Sequence, residues 1–380
     1  MRVLVSGGGT GGHINPALAI ADKIKHMQKD AVIEYVGTPN GMENILVSKA
    51  GYKIHHVKVK GFKRKLTLEN IDAALKAVTS VMEAKKIIRD FKPDIVIGTG
   101  GYVSWPVLKA ASKMGVPTCI HEQNAYPGVT TKALSKYVDK VMISFEESRP
   151  HFSCDTQKLV LVGNPVSEKM LCANKEKARE ELGLDKSAKV ILSAGGSLGA
   201  AALNENVFEL IKNYSLPNAI HHYHATGKAG WQEQSQRYIN ELGFEKLDEE
   251  TLKKENVTVC KYIYNMHVLL AASDVEICRA GAMTLSELAV LGKCSVIIPS
   301  PYVTNNHQYK NAKVLCDKNA ALMIEEKNLN GEILTKTVKE LVENEEKRKS
   351  MENNVRSFAV TDTLDRIYKI IIQIKEKNRK

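Results

Sequence analysis

A histidine directly behind a run of glycines is the first place where this chain could do chemistry. Ser6-Gly7-Gly8-Gly9-Thr10-Gly11-Gly12-His13 follows the apolar Val3-Leu4-Val5 and leads into a helical run from Ala17 to His26. Glycines permit positive φ and let a ligand come close to bare amides. The first N–H groups of the following helix attract anionic or electron-rich oxygens. Taken alone, Gly7-x-Gly9-x-x-Gly12 also fits an ordinary strand-to-helix turn. His13 sharpens it: the positive end of a helix favours a neutral imidazole, which can accept a proton or donate a hydrogen bond. Ala194-Gly195-Gly196-Ser197-Leu198-Gly199 repeats the turn, and Thr99-Gly100-Gly101-Tyr102-Val103-Ser104 is a third. His121-Glu122-Gln123-Asn124 sets four polar side chains in a row after an apolar stretch, with Glu122 suited to hydrogen bonding within its loop. Arg279-Ala280-Gly281-Ala282-Met283-Thr284-Leu285-Ser286-Glu287 has small residues before a helix start, the pattern of a phosphate seat. Thr284 and Glu287 also have capping-box spacing, so Glu287 reads equally as a ligand or as a reciprocal cap.

These groups must be carried by alternating strands and helices. Buried strands are expected at Val3–Ser6, Ala31–Gly37, Pro93–Gly98, Val116–Ile120, Lys140–Ser144 and Leu159–Gly163. A long helix from about Leu68 to Phe91 carries Ile71, Leu75, Val78, Met82 and Ile87 at helical spacing, with Lys76, Lys85, Lys86 and Arg89 beside them. It reads as a core-facing helix with a solvated side, or as a basic rim for anionic lipid. Asn164-Pro165 breaks the run and marks a domain boundary. The pattern restarts with strands at Ala188–Ser193, Ile220–Ala225, Val257–Tyr262, Asp274–Cys278 and Cys294–Ile298, and Asn305-Asn306-His307-Gln308 opens a further helix. The expected organisation is a domain over 1–164, a second over 165–360, and an amphipathic C-terminal helix within 361–380 that packs back on the first. Both domains are expected to be Rossmann-like parallel-sheet α/β folds facing a cleft. A dinucleotide site is disfavoured: Glu34 is mid-strand, and Gly37-Thr38-Pro39 stands where a ribose-binding acid belongs.

Composition narrows the class. The 380 residues suggest about two domains, and 43% apolar with 26% charged residues is a globular balance. No apolar run reaches the roughly 18–20 residues of a membrane span, and the N-terminus enters a strand without a signal-peptide pattern. Seven cysteines without a C-x-x-C pair argue against disulfides and zinc and for a reducing compartment. Residues 1–165 hold 23 Lys and Arg against 14 Asp and Glu, whereas the remainder holds 31 against 29. A basic half implies a polyanionic surface as partner. With 6% aromatics and no nucleic-acid-binding signature, an acidic membrane fits better than nucleic acid.

Two glycine-turn α/β domains suit a GT-B glycosyltransferase, and the chain has no Asp-x-Asp to clamp a diphosphate through a metal. Helix N-terminal amides and hydroxyls would then stabilise the leaving group, with no cofactor or metal. Seven segments carry a resemblance in order and spacing: Gly9-Thr10-Gly11-Gly12-His13, Gly100-Gly101-Tyr102-Val103-Ser104, His121-Glu122-Gln123-Asn124, Gly163-Asn164-Pro165-Val166, Gly195-Gly196-Ser197-x-Gly199-Ala200, Arg279-x-Gly281-Ala282-x-Thr284-x-Ser286-Glu287 and Gln308-Tyr309-x-Asn311-Ala312. Together they resemble the MurG family of peptidoglycan glycosyltransferases, over nearly the whole chain.

That resemblance implies transfer of GlcNAc from UDP-GlcNAc to the MurNAc 4-hydroxyl of lipid I, an undecaprenyl diphosphate-linked MurNAc-peptide, giving lipid II. It implies a peripheral enzyme on the cytoplasmic face of the bacterial membrane. Thr10, Gly11 and Gly12 would line the site near sugar and acceptor, with Gly100, Gly101 and Tyr102 on the acceptor side. Asn124 would hold the sugar or the acceptor diphosphate. Ser197 would meet the UDP phosphates, and Ile263 the uracil. Ala282, Met283, Thr284, Leu285, Ser286 and Glu287 would hold phosphate and ribose, and Gln308 the GlcNAc hydroxyls. Ser167 stands where many relatives place Arg, which weakens any nucleotide contact from that position. His13 is the candidate base for an inverting displacement, or else a donor to the acceptor diphosphate. Phe62–Lys65 and the Leu68–Phe91 helix would rest on anionic inner-leaflet lipid. The rival functions are another GT-B transferase with a lipid acceptor, a hexosamine-nucleotide epimerase, and a nucleotide-sugar-binding subunit without catalysis.

Overall fold

The computed structural model describes residues 1–59, 68–303 and 306–377, with side chains from 79 onward in the helix Leu68–Phe91. The basic loop 61–66, Asn305 and the side chains of Ile71, Leu75, Lys76 and Val78 lie outside the described residues. The chain forms two compact units: Met1–Ser167 with Thr361–Lys380, and Glu168–Val360.

The first unit contains β1 (Arg2–Ser6), β2 (Val32–Gly37), β3 (Lys53–His56), β4 (Ile95–Gly98), β5 (Thr118–Glu122), β6 (Lys140–Ile143) and β7 (Leu159–Leu161). All seven are parallel, in the order β3-β2-β1-β4-β5-β6-β7. Val3, Leu4 and Val5 are fully buried because helices cover both faces, and alternate side chains serve opposite layers. Val3 and Val5 join Ile14, Ile20 and Ile24 of the helix Gly11–Met27, and Ile367 and Ile371 of the terminal helix Thr363–Lys377. Leu4 joins Ile88 of the helix Leu68–Phe91 and Val107 of the helix Ser104–Lys113. Tyr368 accepts from the Gln28 amide, and Asp365 pairs with Lys23, so the terminal helix belongs to this unit. Order reverses between β1 and β4, the switch point at which open α/β sheets keep ligands beyond their carboxyl ends.

The second unit contains β8 (Val190–Ala194), β9 (His221–Ala225), β10 (Glu245–Lys246), β11 (Thr251–Lys254), β12 (Val257–Cys260), β13 (Val275–Cys278), β14 (Ser295–Ile297) and β15 (Leu322–Met323). Their order is β10-β11-β12-β9-β8-β13-β14-β15, parallel except for the antiparallel pairs β10–β11 and β11–β12. Its switch point lies between β8 and β13. Two sequence expectations need correction. The first helix begins at Gly11 rather than at Ala17, because Thr10 already accepts from the His13 and Ile14 amides. The capping box is not formed: the helix Ala282–Leu291 has Gly281 at its N-cap, so Thr284 and Glu287 lie inside it.

Candidate functional site

In the first unit, the ends of β1, β4 and β5 bring His13, Thr99, Gly100, His121 and Gln123 together. The His13 Nδ1 lies 3.0 Å from the Thr99 carbonyl and 3.1 Å from Gln123 Oε1. Thr99 Oγ1 donates to the His13 carbonyl at 2.7 Å, tying the helix start to the β4 turn. Gly100 has φ +108°, and a Cβ there would stand 2.6 Å from His13 Nδ1, so only glycine lets the ring sit on this turn. Gln123 Nε2 reaches the Thr99 carbonyl at 2.9 Å and His121 Nδ1 at 2.9 Å, while His121 Nε2 reaches the Gly163 carbonyl at 2.9 Å. Burial lowers His121 to about 4, which keeps it neutral. Gly11 and Gly12 open the helix, where amides have no intrahelical acceptor. Tyr102 is 58% exposed on the neighbouring turn. Asn124 donates through both its backbone and side-chain nitrogen to Glu122 Oε1, and Glu122 Oε2 accepts from Gly128. Glu122 thus holds its own loop.

One supporting residue was not singled out from the sequence. Glu43 is fully buried beneath the first glycine turn, accepting from the Thr38 amide at 2.8 Å and hydroxyl at 2.7 Å, and from the Gly9 amide at 3.4 Å. Its only sequence signal is an acid opening a short helix after Gly37-Thr38-Pro39.

In the second unit, Ser197 follows β8, Ile263 follows β12, and the 282–287 run follows β13. The helices Ala201–Leu210 and Ala282–Leu291 start at the ends of these neighbouring central strands, so two positive helix ends share one edge. Gly199 has φ +88°, and a Cβ there would meet the Thr226 carbonyl at 2.3 Å. That close approach lets the β8 loop bond to the next one, Lys228 donating to the Ser197 carbonyl and Ala229 to that of Leu198. Glu287 is raised to about 7 by burial. Burial first, then Tyr264 and Glu287, raises Tyr262, which places the β12 loop within the electrostatic reach of Glu287. Gln308 Oε1 accepts from the Ser300 amide at 2.8 Å, which turns its Nε2 toward other partners. Asn311 donates to the Ala280 carbonyl and secures the β13 turn.

Not every expected residue offers a polar group. Leu285 is buried and its amide donates to the Gly281 carbonyl, so it has no free donor. The Ser286 hydroxyl donates to the Ala282 carbonyl. Met283 is buried as well, leaving its first-turn amide as the group to offer. Ser167 is the last residue of the first unit's N-terminal segment, before the chain enters the second unit at Glu168.

Residues 3–143 match the glycosyltransferase family 28 N-terminal domain, and residues 190–367 match the C-terminal domain of that family. A protein of Acetivibrio thermocellus named UDP-N-acetylglucosamine–N-acetylmuramyl-(pentapeptide) pyrophosphoryl-undecaprenol N-acetylglucosamine transferase is 44% identical, covering 98% of this chain and 98% of that protein. A protein of the same name from Bacillus cytotoxicus is 41% identical over 99% of this chain and all of its own length. The crystal structure of MurG from Acinetobacter baumannii matches with a TM-score of 0.71 and 28% identity, covering 98% of this chain and 99% of that one. A UDP-GlcNAc 2-epimerase structure from Neisseria meningitidis shares the fold at a TM-score of 0.67 and 16% identity, covering 98% of this chain and all of the other. Similarity at that level extends to the fold alone. With two GT-B-type α/β units, both halves matched and relatives similar along their whole length, the chain belongs to the MurG family within glycosyltransferase family 28.

Proposed function

We infer that this protein transfers GlcNAc from UDP-GlcNAc to the MurNAc 4-hydroxyl of lipid I, forming lipid II. The observation that carries this reading is full-length similarity to transferases named for that donor and acceptor. The epimerase alternative has only a shared fold behind it.

We assign the acceptor to the first unit and the nucleotide to the second. In the proposed step the acceptor hydroxyl oxygen bonds to the anomeric carbon from the face opposite UDP. The bond from that carbon to the diphosphate oxygen breaks, UDP leaves with the electron pair, and His13 receives the hydroxyl proton. Amides opening the helices Ala201–Leu210 and Ala282–Leu291, with the Ser197 and Thr284 hydroxyls, meet the charge that develops on the diphosphate. Glu287 accepts from the ribose hydroxyls, Ile263 packs on the uracil, and Gln308 Nε2 donates to GlcNAc. Thr10, Gly11, Gly12 and Asn124 border the sugar, and Gly100, Gly101 and Tyr102 border the acceptor.

The acceptor is a lipid, so the protein must meet a membrane. No helix among the described residues is long and apolar enough to cross one. A peripheral mode is proposed, in which exposed Met82, Lys86 and Arg89 of the helix Leu68–Phe91 rest on anionic headgroups. The test of the function is product analysis with UDP-GlcNAc and a short-chain lipid I analogue. A labelled GlcNAc–MurNAc product supports it, and conversion of UDP-GlcNAc in the absence of acceptor supports the epimerase.

A further inference from the structure

We propose that His121 and Gln123 form a positioning relay that fixes His13 as the tautomer protonated on Nδ1, making Nε2 the atom that receives the acceptor's proton. The proposal rests on the reading of His13 as the base. It goes further by naming the reacting nitrogen and the residues that determine it.

The Gly163 carbonyl can only accept, so His121 Nε2, 2.9 Å away, carries a hydrogen. Ser144 Oγ also lies 3.4 Å from that nitrogen. It has two acceptors for its own hydrogen, the Glu122 carbonyl and Asn164 Oδ1, each at 2.8 Å. A neutral ring protonated on Nε2 leaves Nδ1 as an acceptor, and burial keeps His121 neutral well below pH 6. The Gln123 side-chain atom 2.9 Å from His121 Nδ1 must therefore be a donor. The same atom faces two further acceptors, the carbonyls of Thr99 at 2.9 Å and His121 at 3.1 Å, so it is the amide nitrogen. Gln123 Oε1 is thereby turned to His13 Nδ1, which also faces the Thr99 carbonyl. Facing two oxygens that only accept, Nδ1 holds the hydrogen, and the lone pair falls to Nε2.

The relay is itself well anchored. Gln123 is 3% and His121 0% exposed, and the Asn164 amide donates to the Gln123 carbonyl at 3.2 Å. When Nε2 takes a proton, the imidazolium already has two oxygens on its other N–H. No reorientation is needed at the moment of transfer, which is the condition for effective electrostatic stabilisation. Gln123 and His121 act through His13 and need not touch substrate.

The test combines a spectroscopic and a kinetic readout on the full chain. With 15N-labelled histidine, wild-type His13 is expected to show a protonated Nδ1 and an unprotonated Nε2 at a pH where the ring is neutral. Comparison with His13→Ala assigns its resonances among the eleven histidines, and no substrate is needed. Gln123→Met removes the acceptor without adding charge, and should lower kcat by about tenfold or more while leaving the UDP-GlcNAc KM within about twofold. In a His13→Ala background the same substitution should change kcat by less than about twofold, because its effect passes through the missing ring. A wild-type His13 protonated on Nε2 would overturn the proposal. Equal cost of Gln123→Met in both backgrounds would overturn it too. Unchanged turnover in His13→Ala would instead remove the base reading, and absence of any transfer by the wild type would remove the proposed function, each leaving the tautomer measurement interpretable.

Discussion

Burial raises the Glu287 carboxyl to about 7, so its charge changes within the range where turnover is ordinarily measured. A carboxylate accepts from two ribose hydroxyls better than a carboxylic acid does, because one oxygen of the acid is spent as a donor. If Glu287 holds the ribose, the UDP-GlcNAc KM should rise on acidification, by up to about tenfold per pH unit below 7. Glu287→Gln should start from the raised KM and lose that dependence, which steady-state kinetics between pH 5.5 and 8 would show. At this scale the sequence was informative where chemistry is local. The Gly-rich turns and His13 stand out because they are contiguous in the chain, although the glycines alone also fit an ordinary strand-to-helix turn. Glu43 did not stand out, since its role depends on a loop that only folding brings over it. The orientation of Gln123 was equally hidden, being decided by a carbonyl 40 residues further along, that of Gly163.

At the scale of the element, β9 and β13 carry opposite pH dependences through one sheet. Burial lowers His224 to about 4 and His222 well below its usual value. Both folded-state values are depressed, so these groups favour folding above about 6.5; the His224 contribution is lost as pH falls through about 4, and His222 acts in the same direction. Burial and then Glu287 raise Glu276 of β13 to about 8, and its Oε2 has no hydrogen-bond partner among the described residues. Its contribution to folding is fully present below the ordinary 4.5 and is lost as pH rises through about 8. Glu276→Gln keeps the shape without the charge, and should raise the melting temperature by about 3 °C or more at pH 8.5. It should leave the value at pH 4.5 nearly unchanged. A calorimetric scan at the two pH values decides, and equal effects at both would show that the charge is not the cause. The central strands could be read from sequence because continuous apolar runs mark strands buried on both faces. β3, β10, β11 and β15 could not, being short, polar or at an edge, as Lys53-Ile54-His55-His56 illustrates. Spacing alone leaves Glu287 equally a ligand or a reciprocal cap, and Gly281 at the N-cap removes the second of these.

For the whole molecule, charge is the long-range property that matters. The excess of Lys and Arg is concentrated in residues 1–165, and a membrane carrying anionic lipid attracts such a surface by roughly 1 kcal/mol per basic residue near it. Neutralising Lys85, Lys86 and Arg89 to Gln should therefore weaken flotation with anionic vesicles, and raised salt should mimic the change in the wild type. Flotation that ignores both would point to apolar insertion instead. The two-unit organisation was legible from the Asn164-Pro165 break and the restart of the strand pattern. Amphipathicity is all that the sequence shows of the terminal helix's return; in the structure Ile367 and Ile371 lie in the core beside β1.

Single-turnover GlcNAc transfer to a lipid I analogue, with a chelator present, tests His13 as base and the metal-free diphosphate seat together when wild type is compared with His13→Ala. Wild-type transfer is expected to persist under chelation, and His13→Ala to lose about a hundredfold or more in rate while still binding UDP-GlcNAc. Wild-type turnover abolished by the chelator, or undiminished transfer by His13→Ala, would contradict this mechanism.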